Sequence, residues 1–339
     1  MRRLNCRADE SPQSVEVVEG ASILKADGNA LESLRYDADG AATRPTLVPR
    51  RQVAKDGLIL PSFIVVGPPR TGTTWLHEVL TEHTNLPGPT KETRFFDLHF
   101  DRGLSWYLDH FPRAHEGRPR GEVAPTYFGS SHARDRIAET LPDAKLIFIF
   151  RHPLQRLVSL YRMKRAYGMV AWSLEEALER DPEMLNSSQY ATHLRKWQSQ
   201  FPADQISINF YEDLSNDPQA LIDRITGFLE IPRFELQESQ LGQVYSSTGM
   251  TEPRNYSATR AATAMANWCK ARKLDHLVAG VRNSNLIKLF LGGGAPFPEI
   301  PASTMRKIWA LLQDEVEALE EIVGRDLSHW KMPPAAVTK

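Results

Sequence analysis

From Phe63 to Leu76 the chain reads Phe-Ile-Val-Val-Gly-Pro-Pro-Arg-Thr-Gly-Thr-Thr-Trp-Leu, an order of residue types able to hold an anion. Four apolar residues suit a buried strand, the glycine-containing stretch suits a turn, and Leu76, Val79 and Leu80 recur at helical spacing. Such a unit aims backbone N–H groups and the positive end of a helix dipole at one point. Gly67 to Thr74 matches the phosphate loop G-x-x-x-x-G-K-[ST] except at Thr73, which takes the lysine's place. That lysine reaches the terminal phosphates of a nucleoside triphosphate, so its loss argues against ordinary kinase or GTPase chemistry. A cation is kept three residues earlier, at Arg70. The bland alternative is a helix that starts with Gly-Thr-Thr and holds no ligand. The apolar tetrad before the turn and the helical pattern after it favour the anion loop.

A second basic site follows another apolar run, Ala144 to Phe150, which ends in Arg151-His152-Pro153. Residues 145–170 carry Lys145, Arg151, Arg156, Arg162, Lys164 and Arg165 with no Asp or Glu. Arg162, Lys164 and Arg165 read as a solvated helix face. Arg151 differs because it terminates a buried strand, where an arginine is costly unless an anion or carboxylate meets it.

The elements that must position these groups alternate between strand and helix. Strand 62–67 precedes helix 72–84. Strand 144–150 precedes a helix that Pro153 begins, with Leu154, Leu157, Val158 and Tyr161 on one face. A third strand, Ile206–Tyr211, leads through Glu212-Asp213-Leu214 into a helix over 217–229. A long amphipathic helix is expected around 303–323, with Ile308, Leu311, Leu312, Val316, Leu319 and Ile322 on its apolar side. This alternation implies an α/β fold, a central parallel sheet flanked by helices in a single domain. Ligands of such sheets bind beyond the carboxyl ends of the strands. The Arg70 loop and Arg151 should therefore share one edge of one sheet. Residues 1–56 lack sustained periodicity and read as a tail or loosely docked arm. The domain is expected over 57–332, with a tail at 333–339.

The length of 339 residues accommodates one large α/β domain or two small ones. A net charge of −1 argues against global attraction to nucleic acid or to an anionic membrane. Cys6 and Cys269 offer no disulfide or metal framework and suit a reducing compartment. No apolar run is long enough to span a bilayer, and the polar stretch after residue 7 does not fit a signal peptide, so a cytoplasmic location is expected. Oligomeric state is not legible.

Four stretches, in order, then resemble one family. Pro69-Arg70-Thr71-Gly72-Thr73-Thr74-Trp75-Leu76 is similar to the 5′-phosphosulfate loop of sulfotransferases that use 3′-phosphoadenosine 5′-phosphosulfate. Ile147 to Pro153, with Arg156 and Ser159, resembles their 3′-phosphate site. Ser188-Gln189-Tyr190 through Trp197, and Phe210-Tyr211-Glu212-Asp213-Leu214, resemble two further motifs. The resemblance covers about residues 62–230, with a looser match to Trp330. Lys91-Glu92-Thr93-Arg94-Phe95-Phe96-Asp97 and Gly121 to Phe128 are similar to the carbohydrate, heparan sulfate-type branch and its bacterial relatives. In that branch the glutamate at the position of Glu92 is the catalytic base. Val123 stands where the branch can carry a lysine, which counts against a polyanionic glycan acceptor, as does the near-neutral charge.

The resemblance implies a P-loop-like sulfotransferase fold and in-line sulfuryl transfer from that donor, without a metal. Backbone N–H groups of Thr71, Gly72, Thr73, Thr74 and Trp75 and the hydroxyls of Thr73 and Thr74 would hold the 5′-phosphosulfate. Arg70 would neutralise charge on the departing phosphate, and Arg151 and Ser159 would hold the 3′-phosphate. Glu92 would take the proton of an acceptor hydroxyl or amine on a small molecule, sugar or glycolipid. Phe95 and Phe96 should bury this segment and raise the pKa of Glu92. Glu92 also reads as a surface partner of Lys91 or Arg94, with Glu122 and His99 as fallback bases and His77 structural. Tyr190 is either a core aromatic or a contact to the adenine end. Arg254 and Arg260, in the 246–260 stretch, could close over the 3′-phosphate, and Trp309 and Trp330 read as packing. A phosphotransferase with a degenerate loop, or a non-catalytic nucleotide-binding protein, are the alternatives.

Overall fold

The two apolar runs that precede Arg70 and Arg151 lie as neighbouring strands of one parallel sheet. The computed structural model describes residues 23–27, 30–34, 46–47, 59–111, 117–241, 250–271 and 293–331. Its strands are β1 (Ile23–Asp27), β2 (Ala30–Leu34), β3 (Thr46–Leu47), β4 (Phe63–Gly67), β5 (Gly121–Val123), β6 (Lys145–Phe150) and β7 (Ile206–Phe210). The sheet that carries the site has the order β5-β4-β6-β7, every pair parallel. The chain leaves β4 for β5 on one side and then passes to β6 on the other. A reversal of this kind opens a crevice at the carboxyl ends of the strands. The loops after β4 and β6 both lie at that edge, as expected.

The helices are α1 (Thr73–Thr81), α2 (Gly103–Leu108), α3 (Ser131–Thr140), α4 (Pro153–Ala166), α5 (Leu174–Arg180), α6 (Glu183–Asn186) and α7 (Tyr190–Gln198). They continue with α8 (Tyr211–Asn216), α9 (Pro218–Leu229), α10 (Glu238–Leu241), α11 (Tyr256–Ala271), α12 (Ala302–Ala310) and α13 (Gln313–Val323). Alternate strand residues feed two separate cores. Phe63 and Val65 of β4 and Ile147 and Ile149 of β6 pack with Leu76, Val79 and Leu80 of α1 and Leu221, Ile222 and Ile225 of α9. Ile64, Val66, Leu146, Phe148 and Phe150 face the other way, towards Leu157 and Val158 of α4 and Leu194 and Trp197 of α7. Each fully buried side chain of this size contributes about 1.5–3 kcal/mol. Both faces are covered, which is why the strands read as unbroken apolar runs.

Three features depart from the sequence expectations. β5 has three residues with a glutamate at its centre, too short and too polar in pattern to stand out. The helix expected over 303–323 is two helices, α12 and α13. At the break Leu311 turns outward (61% exposed) while Leu312 is fully buried, so Leu311 does not belong to the apolar face. Within residues 1–56, β1, β2 and β3 form an antiparallel sheet, paired from Ile23↔Leu34 to Asp27↔Ala30 and at Glu32↔Leu47, in a compact unit of its own. The tail reading does not anticipate these strands. The rest of 1–56, and the tail expected at 333–339, lie outside the described residues.

Residues just past β7 are fastened to the far end of the chain. Asp213 accepts from both terminal nitrogens of Arg325, at 2.9 and 2.7 Å, and Glu212 accepts the indole N–H of Trp330 at 2.8 Å. Trp330 is itself buried against Tyr190 and Phe210.

Gly67, the last residue of β4, has φ +104°, and a Cβ there would lie 2.6 Å from the Pro125 backbone. Gly67→Ala therefore combines a left-handed penalty with overpacking, and a loss of about 2–5 kcal/mol is expected in denaturant unfolding.

Candidate active site

The turn between β4 and α1 is shaped by backbone conformations that most side chains resist. Gly72 has φ +90°, and a Cβ there would meet Leu214 Cδ2 at 2.7 Å and the Tyr211 ring. Arg70 holds φ +74°, a conformation that costs a non-glycine residue about 1–3 kcal/mol. The Thr71 hydroxyl donates to the Pro68 carbonyl at 2.8 Å, which closes the loop on itself. Gly72 caps α1 with no side-chain acceptor, and the first intrahelical bond runs from Leu76 N–H to Gly72 C=O. The N–H groups of Thr73, Thr74 and Trp75 precede that bond and point out of the helix end. Thr73 is buried and Thr74 exposed. The Trp75 indole donates to the Gln240 carbonyl at 2.8 Å, so the Thr71 and Trp75 side chains serve the fold and leave only their backbone for a ligand.

Arg70 and the second basic site adjoin. Arg70 Nε donates to Ser159 Oγ at 3.1 Å, and Arg151 Nη1 donates to the Arg70 carbonyl at 3.4 Å. The Arg151 guanidinium lies 4.4 Å over the ring of Tyr211, the same ring that Gly72 approaches. Tyr211 thus separates and bridges the two sites, a role the sequence motif did not disclose. Arg151 Nε is buried with no hydrogen-bond partner. Two adjoining guanidinium groups beside an uncapped helix start suit an anion. Burial, and then Arg151, lower the pKa of Arg70.

Other expected site residues take supporting places. Tyr190 is buried, and its hydroxyl donates to the Arg151 carbonyl at 2.9 Å, so it is a core aromatic that fixes the Arg151 main chain. Arg156 is fully buried and donates to the Met184 carbonyl and to Ser188 Oγ. Of the α4 residues expected to be solvated, Arg165 is buried while Arg162 and Lys164 stay half-buried. Lys164 bonds Asp181, and buried Arg165 pairs with Glu252. Arg260 is exposed on α11, whose backbone abuts Gly168 beyond the end of α4. No contact joins Arg260 to Arg151 or Ser159 among the described residues; it abuts the end of α4 towards which Arg70 extends, Arg70 Nη1 lying 3.8 Å from Met163 Sδ. Exposed Arg254 donates to the Gly293 carbonyl at 3.3 Å, and residues 246–249 of that stretch lie outside the described residues. Trp309 and Trp330 pack against His152, as expected.

The carboxylates resolve differently from the sequence expectation. Phe95 and Phe96 are buried, but Glu92 keeps 27% side-chain exposure and pairs with Lys91 at 3.4 Å. The carboxyl sealed by those aromatics is Glu122. It accepts from Thr93 N–H (2.7 Å), Thr93 Oγ1 (2.8 Å), Tyr107 (3.0 Å) and Tyr127 (3.2 Å). Burial pushes Glu122 up to about 7 although those hydrogen bonds pull it down. Fully enclosed, it cannot serve as a fallback base. Left-handed Arg94 (φ 56°) turns the chain directly after Thr93, so that Phe95 faces inward while Glu92 stays at the rim. Lys91 went unnoticed as a site residue, although it stands next to the candidate base in sequence. Burial lowers its pKa, Glu92 and Glu78 oppose this, and Arg70 lowers it further, so the ammonium lies within the field of Arg70. His99 packs edge-on against Trp106, and burial lowers its pKa.

The sulfotransferase domain family model matches residues 60–274. The bifunctional heparan sulfate N-deacetylase/N-sulfotransferase 2 of Bos taurus is 33% identical over 198 residues, 52% of this chain and 22% of that protein. Heparan sulfate glucosamine 3-O-sulfotransferase 3B1 of Homo sapiens is 31% identical over 183 residues, 51% of this chain and 47% of that protein. The chain thus spans less than half the length of these relatives. A sulfotransferase from Alicyclobacillus acidocaldarius shares the fold, with a TM-score of 0.57 at 18% identity over 81% of this chain and 100% of that one. No helix among the described residues is long and apolar enough to cross a membrane.

Two groups at the site have opposite effects on acid stability. Burial, aided by Lys91, holds His77 at about 4, so stability is lost as pH falls from 6.5 towards 4 while the unfolded chain takes up the proton. Glu122 is raised, so its contribution is complete below pH 4.5 and is lost as pH rises through 7. Between pH 4.5 and 6.5 the two slopes oppose each other. In Glu122→Gln only the histidine slope remains, and urea midpoints should fall more steeply on acidification than in the wild type.

Proposed function

The chain belongs to the sulfotransferase domain family, and from that premise we propose that it transfers a sulfuryl group from 3′-phosphoadenosine 5′-phosphosulfate to a hydroxyl or amine of a sugar or other small acceptor. The observation that carries this reading is the placement of Arg70, Ser159 and Arg151 side by side at the uncapped start of α1. A donor with phosphate at both ends of its ribose needs two adjoining anion sites, whereas a nucleoside triphosphate needs one. The donor supplies an activated sulfuryl group. The N–H groups of residues 71–75 hold its 5′ end, and Arg151 and Ser159 hold the 3′-phosphate. Tyr211 keeps Arg151 in place from below.

Glu92, at the rim beside Lys91, takes the acceptor proton as the acceptor oxygen or nitrogen bonds to sulfur. The sulfur–oxygen bond to the 5′-phosphate breaks, and its electron pair remains on the phosphate oxygen. Arg70 and the α1 N-terminus stabilise that developing charge. Sugar acceptors are favoured by the names of the relatives, which act on heparan sulfate and glucosamine. The proposal takes residues 57–332 as the catalytic domain and the cytoplasm as its setting, which cell fractionation checks.

Glu92→Gln should lower turnover about 10²–10⁴-fold while calorimetric affinity for 3′-phosphoadenosine 5′-phosphate stays within twofold. Wild-type turnover would refute the base assignment. Arg151→Ala should weaken that nucleotide about 30-fold or more, as loss of a buried charge contact implies, and barely affect adenosine 5′-phosphate. Equal losses would remove the 3′-phosphate reading, and magnesium-dependent binding of ATP would favour a phosphotransferase.

A further inference from the structure

The buried Glu122 belongs to no step above, yet every group around it points at it. We propose that Glu122 is a positioning residue for catalysis, whose carboxyl grips Thr93 and thereby fixes the segment that presents Glu92. The inference rests on Glu92 acting as the base. Glu122 is the centre of β5, in register with Ile64 of β4, so its backbone is part of the sheet that also carries the anion loop. Its Oε1 accepts both the N–H and the hydroxyl of Thr93, the residue that follows Glu92. Its Oε2 accepts Tyr107 from α2 and Tyr127 from the turn at 125–127. The Thr93 hydroxyl oxygen in turn accepts the Phe95 N–H at 3.2 Å. Phe95 stacks on Tyr107 and Phe96 meets Tyr127 edge-on, closing the cage.

Full burial of a carboxylate is costly and needs a reason beyond packing. An apolar residue would fill the space but leave Thr93 N–H and two phenols without an acceptor. Only an acceptor in this place ties the glutamate-bearing segment rigidly to the strand beside the anion loop. No cation faces the carboxylate among the described hydrogen bonds and ion pairs. The facing titratable groups are Tyr107 and Tyr127, both kept neutral by burial, with the Asp97 carboxylate acting on Tyr127 from farther off. Both bonds to Thr93 fall on Oε1 and both phenols on Oε2, so the grip needs an acceptor at Oε1 whichever state the carboxyl is in.

The test compares Glu122→Leu, Glu122→Gln and Glu92→Gln in the full chain, with kcat counted per site titrated by 3′-phosphoadenosine 5′-phosphate. Glu122→Leu should lower kcat about 10²-fold, the scale of a misplacement near 1 Å, with nucleotide affinity within twofold of wild type. Glu122→Gln can still accept from Thr93 through its carbonyl while its NH₂ meets tyrosine oxygens. It should recover kcat to within a few fold of the wild type. Wild-type kcat in Glu122→Leu, or a glutamine variant as poor as the leucine one, would overturn the proposal. If Glu122→Leu does not bind nucleotide, Thr93→Val decides, because it removes one of the two bonds to Thr93; unchanged kcat there would overturn it. Full activity in Glu92→Gln removes the base reading instead, whereas an inactive Glu92→Gln beside a normal Glu122→Leu removes only the positioning role.

Discussion

Arg70, Lys91 and Arg151 are three cations gathered at the carboxyl edge of a sheet buried on both faces, and their mutual repulsion constrains everything around them. Burial and neighbouring positive charge together depress the pKa of Arg70, and the same two influences act on Lys91. The local means of relief are modest. Arg151 has the face of Tyr211, Arg70 has a neutral hydroxyl at Ser159, and Lys91 has the half-exposed Glu92. Such an arrangement is costly in the free protein and becomes favourable when an anion enters. The glycine turn, the uncapped helix and the buried Arg151 main chain all serve to keep the charges from splaying apart.

Rigidity comes from the strands rather than from the loops. β4 and β6 are neighbours, so the anion loop and Arg151 inherit a separation fixed by backbone hydrogen bonds. Tyr190 pins the Arg151 carbonyl from below, and Arg136 Nη1 pins the Phe96 carbonyl at 2.8 Å on the Glu92 side. The site is therefore assembled from four strand ends, β4, β5, β6 and β7, the last supplying Tyr211.

Local patterns carried the most legible parts. The apolar tetrad before Gly67 and the run before Arg151 disclosed two strands, their helices and the shared edge, because each signal is contiguous in the chain. β5 was hidden because three residues with a glutamate among them have no period to read. The carboxyl that the two phenylalanines seal inside is Glu122, whereas the sequence pattern points to Glu92. Two adjacent phenylalanines reveal that a segment turns inward, but the left-handed backbone at Arg94 decides which residue goes with them, and no pattern marks it. Tyr211 and Lys91 escaped for a different reason: their roles exist only where separate strand ends converge. Arg165 looked like a solvated charge because its partner, Glu252, lies 87 residues on.

The clasp of Asp213 with Arg325 and of Glu212 with Trp330 joins residues more than 110 positions apart. The family match ends at residue 274, yet the structural unit does not. A protein cut at that boundary would expose Tyr190 and Phe210, which Trp330 now covers, and would leave the Asp213 carboxylate with Arg224 alone. The smallest autonomous piece must run through residue 330, and any fusion or domain graft that borrows this scaffold has to bring its last helices with it.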